Sequence, residues 1–232
     1  MKISLIIFGY NEHKSIKAVF ENALDVIKTL SEDFEIIIVD DGSTDNTGIV
    51  LDEITEKHPN TIVVKHARNE GIGMALRSGY KTATKDYVCA IPADGQFNVS
   101  QLKILTPFES STFYSFYRFD TRYGFYRRML TWINRLFNQH LLGIYIRDVN
   151  WIKVYKKTQL ETAKPVLTSS LIESEICAKL YKLGVMPIEI PSEYLERAYG
   201  LAKGGNWKTL KKAALETWSL FWIVYMFPDN NQ

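Results

Sequence analysis

Four short apolar runs, separated by stretches with helical spacing, restrict the first hundred residues to very few architectures. The runs are "KISLIIF" at the start, "FEIIIVD" at 34–40, "NTIVVKH" at 60–66 and "DYVCAI" at 86–91. Continuous apolar character over so few residues, rich in β-branched side chains, marks strands buried on both faces. Between the first two, apolar residues recur at Ile16, Val19, Phe20, Ala23, Leu24 and Ile27, one face of a helix. "STDNT" supplies capping side chains before a second helix carrying Val50, Leu51 and Ile54, and a third helix is expected from Gly71 to Thr84. Strand–helix alternation of this kind predicts an α/β fold, a parallel sheet covered by helices on both sides.

In such sheets ligands bind beyond the carboxyl ends of the strands. The segments that leave those ends are "GYNE", "DDGS", "HARNEGIG" and "PADGQ". Glu12, Asp40, Asp41 and Asp94 are therefore expected to converge on one edge. Tyr10 can stack on a nucleobase and Glu12 can accept bonds from a base or ribose; capping of the next helix by Asn11 accounts for "YNE" equally well. Asp40 and Asp41 repel each other, and a ligand donor or a cation would relieve that repulsion. Asp94 and Gln96 suit a hard cation such as Mg2+ or Mn2+ with diphosphate oxygens completing its shell. They suit a plain turn just as well.

The second half changes character. "TFYSFYRF" at 112–119 reads as a strand ending near Arg118, and "YRRMLTWINRLFNQHLLG" as a helix with Leu130, Ile133, Phe137 and Leu141 inward. "NWIKVYKK" is a further strand, "SLIESEICAKLYKLG" a helix closed by Gly184, and "VMPIEIPSEYLE" an extended segment. Arg118, Arg127, Arg197 and Lys203 all flank turns. Together they could hold a phosphate, since the guanidinium fork matches it; singly, such residues are ordinary surface charges. A last helix starts near Asn206. On it Trp207, Leu210, Ala214, Trp218, Phe221, Trp222 and Tyr225 share one face, edged by Lys208 and Lys212. That stripe suits a membrane interface or packing on the sheet domain.

Composition excludes several classes. A net charge of +2 over 232 residues does not indicate a nucleic-acid partner. Two cysteines without close spacing read as buried reduced thiols of a cytoplasmic protein. The opening run reads as a first strand rather than a signal peptide. The longest apolar stretch, "LFWIVYMF", is far shorter than a membrane span.

Taken in order, "FGYNE", "VDDGSTDNT", "NEGIGMALRSGY" and "PADGQF" resemble a family 2 glycosyltransferase of the GT-A fold. "YRF" at 117–119, "RRMLTWINRLFN", "DVNWIKVYKK" and "ERAYGLAKGGN" at 196–206 resemble dolichol-phosphate mannosyltransferase and bacterial polyprenyl-phosphate relatives. The resemblance implies a Rossmann-like, mostly parallel sheet in one catalytic domain, 1–203, divided into a nucleotide-binding half (1–97) and an acceptor half (98–203). An amphipathic helix and tail, 204–232, would follow. It implies that Tyr10, Glu12, Val39 and Asp41 line a nucleotide pocket and that Ala93, Asp94 and Gln96 form the metal and diphosphate site. Arg118, Arg197 and Lys203 would hold donor diphosphate and acceptor phosphate, with Arg127 a further candidate.

The implied chemistry is an inverting transfer from a nucleotide-sugar, with a divalent cation, to a polyprenyl phosphate at the cytoplasmic membrane face. An integral-membrane partner is a possible addition. Two departures stand out: Pro92 replaces the first aspartate of the family's usual Asp-Ala-Asp, and Phe8-Gly9 replaces its usual Pro-Thr. Two other readings remain. One is a family 2 enzyme acting on a saccharide hydroxyl, with Glu173 or Glu175 as base. The other is a degenerate nucleotide-sugar-binding protein, suggested by Pro92.

Overall fold

The computed structural model describes residues 1–119, 125–197 and 207–228, apart from the side chains of 125–131, 133–134 and 207–214. The four apolar runs form β1 (Ile3–Gly9), β2 (Phe34–Asp40), β3 (Ile62–Lys65) and β4 (Tyr87–Pro92). The second half adds β5 (Thr112–Arg118), β6 (Lys153–Lys156) and β7 (Met186–Ser192). Among the described residues they make one sheet in the order β3-β2-β1-β4-β6-β5-β7. Pairing is parallel from β3 through β4, antiparallel on both sides of β6, and parallel again between β5 and β7. The expectation of a mostly parallel α/β sheet is met.

Helices α1 (Ile16–Leu30), α2 (Thr47–Lys57) and α3 (Ile72–Thr82) make the crossovers. The chain steps from β1 to β2 to β3 in one direction, then returns past β1 to β4. Right-handed crossovers therefore place α1 and α2 on one face and α3 on the other. A crevice opens where the direction reverses, beyond the ends of β1 and β4. Ile3, Leu5, Ile6 and Ile7 of β1 are wholly buried between the layers, each worth about 1.5–3 kcal/mol. The face of α1 is as expected, with Ile16, Val19, Phe20, Ala23, Val26 and Ile27 buried.

Beyond β4 lies a 3-10 helix, Val99–Ile104, and then α4 (Phe125–Leu142), α5 (Lys157–Ala163), α6 (Ile172–Lys182) and α7 (Trp207–Tyr225). The 3-10 turn and α5 escape sequence reading because neither is long enough to show a period. Helix α4 packs on α6 and α7, and Phe137 packs against the core as expected, but the last turn differs. Leu141 is 53% exposed, whereas Asn138 and Leu142 are buried. The side chains of Leu130 and Ile133 lie outside the described residues.

The α7 stripe points outward where it is described. Leu220 and Val224 are buried, while Trp218, Trp222 and Tyr225 are exposed. Phe221 stacks between Trp218 and Tyr225, so the outer rings form a ladder along the helix. No helix among the described residues is long and apolar enough to cross a membrane.

Glu173 and Glu175, considered above as bases, both belong to the core. Tyr80 and Tyr155 donate to the two oxygens of Glu173 at 2.5 and 2.7 Å. Glu175 accepts from the Val166 and Leu167 amides and from Lys179. Neither carboxylate presents itself at the sheet edge. Burial raises the Glu173 carboxyl above its ordinary range, against the opposing effects of Lys153, Tyr80 and Tyr155. The stability linked to its protonated form is full below the unfolded value, about 4.3, and is lost as pH rises through the elevated folded value. Glu173→Gln is neutral at every pH. Its Tm should therefore gain on that of the parent as pH rises from acid toward neutral; parallel Tm curves would show that burial does not govern this group.

Candidate active site

The register of the central strands decides where the functional loops begin. Gly9 pairs with Asp40 across β1 and β2, and Phe8 with Pro92 across β1 and β4. Tyr10, Asp41 and Ala93 are consequently the residues with which neighbouring strands turn into loops. Backbone bonds extend the ladder past the strand ends: Asp41 N to Gly9 O, Ala93 N to Phe8 O and His66 N to Asp40 O, each 2.9 Å. The departure at Gly9 has a steric reason in this chain. A Cβ there would stand 2.8 Å from Ala93 Cβ and 3.1 Å from Glu12 Cγ, so glycine lets the first loop close down on the end of β4.

The first two loops are tied together. Asn11 adopts a left-handed conformation (φ 55°) and its side chain accepts from the Thr44 amide at 2.8 Å. Its own amide donates to Ser43 Oγ, and the Glu12 amide donates to Thr47 Oγ1 at 3.0 Å. Asn11 is thus a loop-to-loop staple and does not cap α1, whose N-cap position is Ser15. Asp45 accepts from the Thr47 amide at the start of α2, whereas the N-cap residue, Asn46, makes no side-chain capping bond.

The adjacent aspartates resolve differently from the sequence expectation, because internal donors answer their charge. Asp40 accepts from the Ser43 amide at 2.9 Å. Asp41 is buried and accepts from the Glu70 and Gly71 amides at 3.0 and 2.8 Å, and from His66 Nδ1 at 2.8 Å. Since a carboxylate only accepts, Nδ1 carries a proton, and Nε2 lies within hydrogen-bond distance of Ser78 Oγ, at 2.8 Å. Asp41 therefore closes the 66–71 loop and seats the start of α3. Gly42 completes this junction: its φ is +71°, and a Cβ would fall 2.2 Å from the Arg68 backbone. The signal for His66 was its position, the last residue of the third apolar run.

At the end of β4, Asp94 Oδ1 accepts from the Gln96 amide at 3.0 Å. The Gln96 side chain donates to Tyr194 Oη, and Leu195 N bonds Gln96 O at 3.0 Å. This docks the 193–197 segment against the crevice. Arg197 then reaches across it: Nη2 donates to Glu12 Oε1 and lies 3.9 Å from Asp94 Oδ2. Residues 185 positions apart are thus in contact.

The remaining candidates are placed as follows. Tyr10 is half-buried at the edge, whereas Val39 and Ala93 are buried and contribute packing. Arg118 forms a two-point pair with Asp148, Nε–Oδ2 2.6 Å and Nη2–Oδ1 3.0 Å. Its guanidinium also lies over Trp151 and Tyr194, 4.7 and 5.7 Å from the ring centres. Tyr194 therefore links Arg118 to Gln96. Lys203 and the side chain of Arg127 fall outside the described residues. Asp148, Trp151 and Tyr194 were not singled out in the sequence, since no spacing pointed to them.

As a cation site the crevice is sparse. Among the described residues no three His, Cys, Asp or Glu side chains are placed to hold an ion. Asp94 and the side-chain oxygen of Gln96 would supply only part of a shell, with the Arg197 guanidinium 3.9 Å from Asp94. That donor set fits a cation that arrives with an anionic ligand, not a resident one.

Residues 4–160 match the family model described as glycosyl transferase family 2. The chain belongs to glycosyl transferase family 2. A relative from Methanococcus voltae, a UDP-N-acetylglucosamine–dolichyl-phosphate N-acetylglucosaminyltransferase, is 30% identical over 88% of this chain and 90% of its own length. An undecaprenyl-phosphate 4-deoxy-4-formamido-L-arabinose transferase of Proteus mirabilis is 36% identical over 41% of this chain and 29% of its own. The family 2 chain spans about a third of the length of the first curated relatives it matches. Among solved structures, the mannosyltransferase PcManGT of Pyrobaculum calidifontis, in complex with GDP-Man and Mn2+, superposes with TM-score 0.62. It is 20% identical, over 88% of this chain and 58% of that one. Glucosyl-3-phosphoglycerate synthase of Mycobacterium tuberculosis, with Mn2+, UDP and phosphoglyceric acid, gives TM-score 0.64. It is 17% identical, over 99% of this chain and 80% of that one. At these identities the likeness is one of fold, and that fold is GT-A.

Asp41→Ala strands the donors of the 66–71 loop. It should lower stability by about 1–3 kcal/mol or more and speed hydrogen exchange at the Glu70 and Gly71 amides. Parental denaturation and exchange would show that the loop is held by other means.

Proposed function

We propose that this chain transfers a sugar, with inversion, from a nucleoside-diphosphate donor to a polyprenyl phosphate. The observation that carries the reading is Arg197, brought from the far end of the chain to the switch-point crevice beside Asp94 and Glu12. A guanidinium at that position can hold a diphosphate or an acceptor phosphate. The nearly full-length relative named for dolichyl phosphate supports the acceptor class. Chemistry supports it too. A lipid phosphate is ionised at neutral pH and attacks the anomeric carbon without a strong base. The two carboxylates suggested as bases for a hydroxyl acceptor sit in the core.

In this reading Tyr10, Glu12, Val39 and Asp41 shape the nucleoside side of the crevice, within the half formed by 1–97. Ala93, Asp94 and Gln96 form its diphosphate side. Arg197, with Lys203, Arg118 and Arg127, serves the phosphates in the half formed by 98–203. Asp94 and Gln96 would hold a divalent cation that enters with the donor. When bound, such an ion stabilises the charge developing on the departing nucleoside diphosphate.

The outer ladder of α7, within the C-terminal segment 204–232, suits the headgroup region of a bilayer, where Trp and Tyr rings are favoured. In this reading the enzyme works peripherally at a cytoplasmic membrane face, where a lipid-linked acceptor is met.

Turnover with a panel of nucleotide-sugars and a polyprenyl phosphate tests the reading. Glycosyl-phospholipid product is expected; transfer only to soluble glycans, or binding with no transfer, would overturn it. Asp94→Ala should abolish cation-dependent nucleotide binding and reduce turnover about 100-fold or more. Mn2+-dependent affinity in Asp94→Ala equal to the parent's, measured by calorimetry, would take Asp94 out of the site. Trp218 and Trp222 are 69% and 45% exposed, so replacing both with Ser should weaken binding to anionic vesicles while leaving Tm unaltered. Equal vesicle binding would remove α7 from the interface.

A further inference from the structure

Glu12 is fixed at both ends, in a direction that a plain nucleoside contact does not explain. Its amide is bound to Thr47, and Ser15 Oγ donates to Oε2 at 2.9 Å. With that oxygen held, Oε1 faces Arg197 Nη2. Glu12 is only 8% exposed, and the Arg197 side chain is 13% exposed. The ion pair is therefore largely out of water, where an unpaired guanidinium would be strongly unfavourable. Asp94 Oδ2, 3.9 Å from the same Nη2, is the second anion in reach.

We infer that Glu12 is the built-in counter-anion of Arg197, holding the place that the donor's diphosphate takes. Before donor binds, the Glu12 carboxylate neutralises the guanidinium and keeps the 193–197 segment across the crevice. A diphosphate entering beside Glu12 and Asp94 brings like charges together in a poorly solvated space. Exchange of Glu12 for phosphate oxygens at Arg197 relieves that repulsion. Reverse exchange after transfer returns Glu12 to Arg197 and helps expel the nucleoside diphosphate. No bond is made or broken in the exchange, and the guanidinium stays charged throughout. The inference deepens the function proposed above and rests on Arg197 serving the diphosphate.

The test uses inorganic pyrophosphate, which lacks base and ribose, so that any nucleoside contact of Glu12 plays no part. Binding to the full chain is measured by calorimetry in chelator, without divalent cation. Glu12→Gln keeps an acceptor for Arg197 while removing the competing charge, and should bind pyrophosphate about tenfold tighter or better. Ser15→Ala only loosens the Glu12 anchor and should tighten binding about two- to threefold, which provides a second variant if Glu12→Gln is poorly folded. Adding Arg197→Gln to either variant should erase the gain. Pyrophosphate affinity equal to or weaker than the parent's in Glu12→Gln and Ser15→Ala would overturn the exchange. If Arg197→Gln alone binds pyrophosphate as the parent does, Arg197 does not serve the diphosphate, and the functional reading beneath the inference falls with it. If Arg197→Gln weakens binding while the Glu12 and Ser15 variants gain nothing, the functional reading stands and only the exchange is lost.

Discussion

Everything at the crevice depends on parallel strands ending level with one another. Gly9 opposite Asp40 and Phe8 opposite Pro92 mean that β1, β2 and β4 release their chains within a residue of the same height. A shift of one residue in any of these strands would turn its apolar side chains to the opposite face, and burial on both sides forbids that. Hydrophobic packing in the sheet therefore sets the positions of polar groups it never touches. Tyr10, Asp41 and Asp94 share an edge because Ile6, Ile38 and Ile91 share a core.

On that base, two kinds of polar contact divide the work. Asp41, with His66 and the Glu70 and Gly71 amides, ties the end of β2 to the 66–71 loop. Its partners are two backbone amides and one imidazole, all within the 66–71 segment. Arg197 belongs to the other kind. It joins the 193–197 segment to Glu12 through a charged contact, in a place where an anionic ligand would compete for it. A tied loop on one side and an exchangeable ion pair on the other are what a site needs if it must bind a diphosphate and then let it go.

The site's departures from the family pattern also fall into place in physical terms. Gly9 allows Ala93 and Glu12 to approach the end of β1, so the first loop lies closer to β4 than a larger residue would permit. Pro92 leaves Asp94 as the carboxylate at the end of β4, and a guanidinium stands near it. In the function proposed above, such a crevice would meet the donor's charge with a cation and an arginine together. Helix α7 follows a similar division. Leu220 and Val224 anchor α7 to the protein, which frees its aromatic face to turn outward.

Sequence by itself determined the first four strands, the helices between them and the edge where their loops meet. Apolar periodicity is a local property, and burial on both faces leaves few ways to arrange it. Motif order was enough for the family. What only the tertiary structure decided is which charges meet. Nothing in the spacing of Glu12 and Arg197 joins them, nor Arg118 to Asp148, nor Asp41 to the turn at 70–71. The same holds for Glu173 and Glu175, which look like available carboxylates in the chain and are core residues in the fold. Charged side chains choose partners by distance in space, and that distance is set only once the sheet has closed and the second half has packed against it.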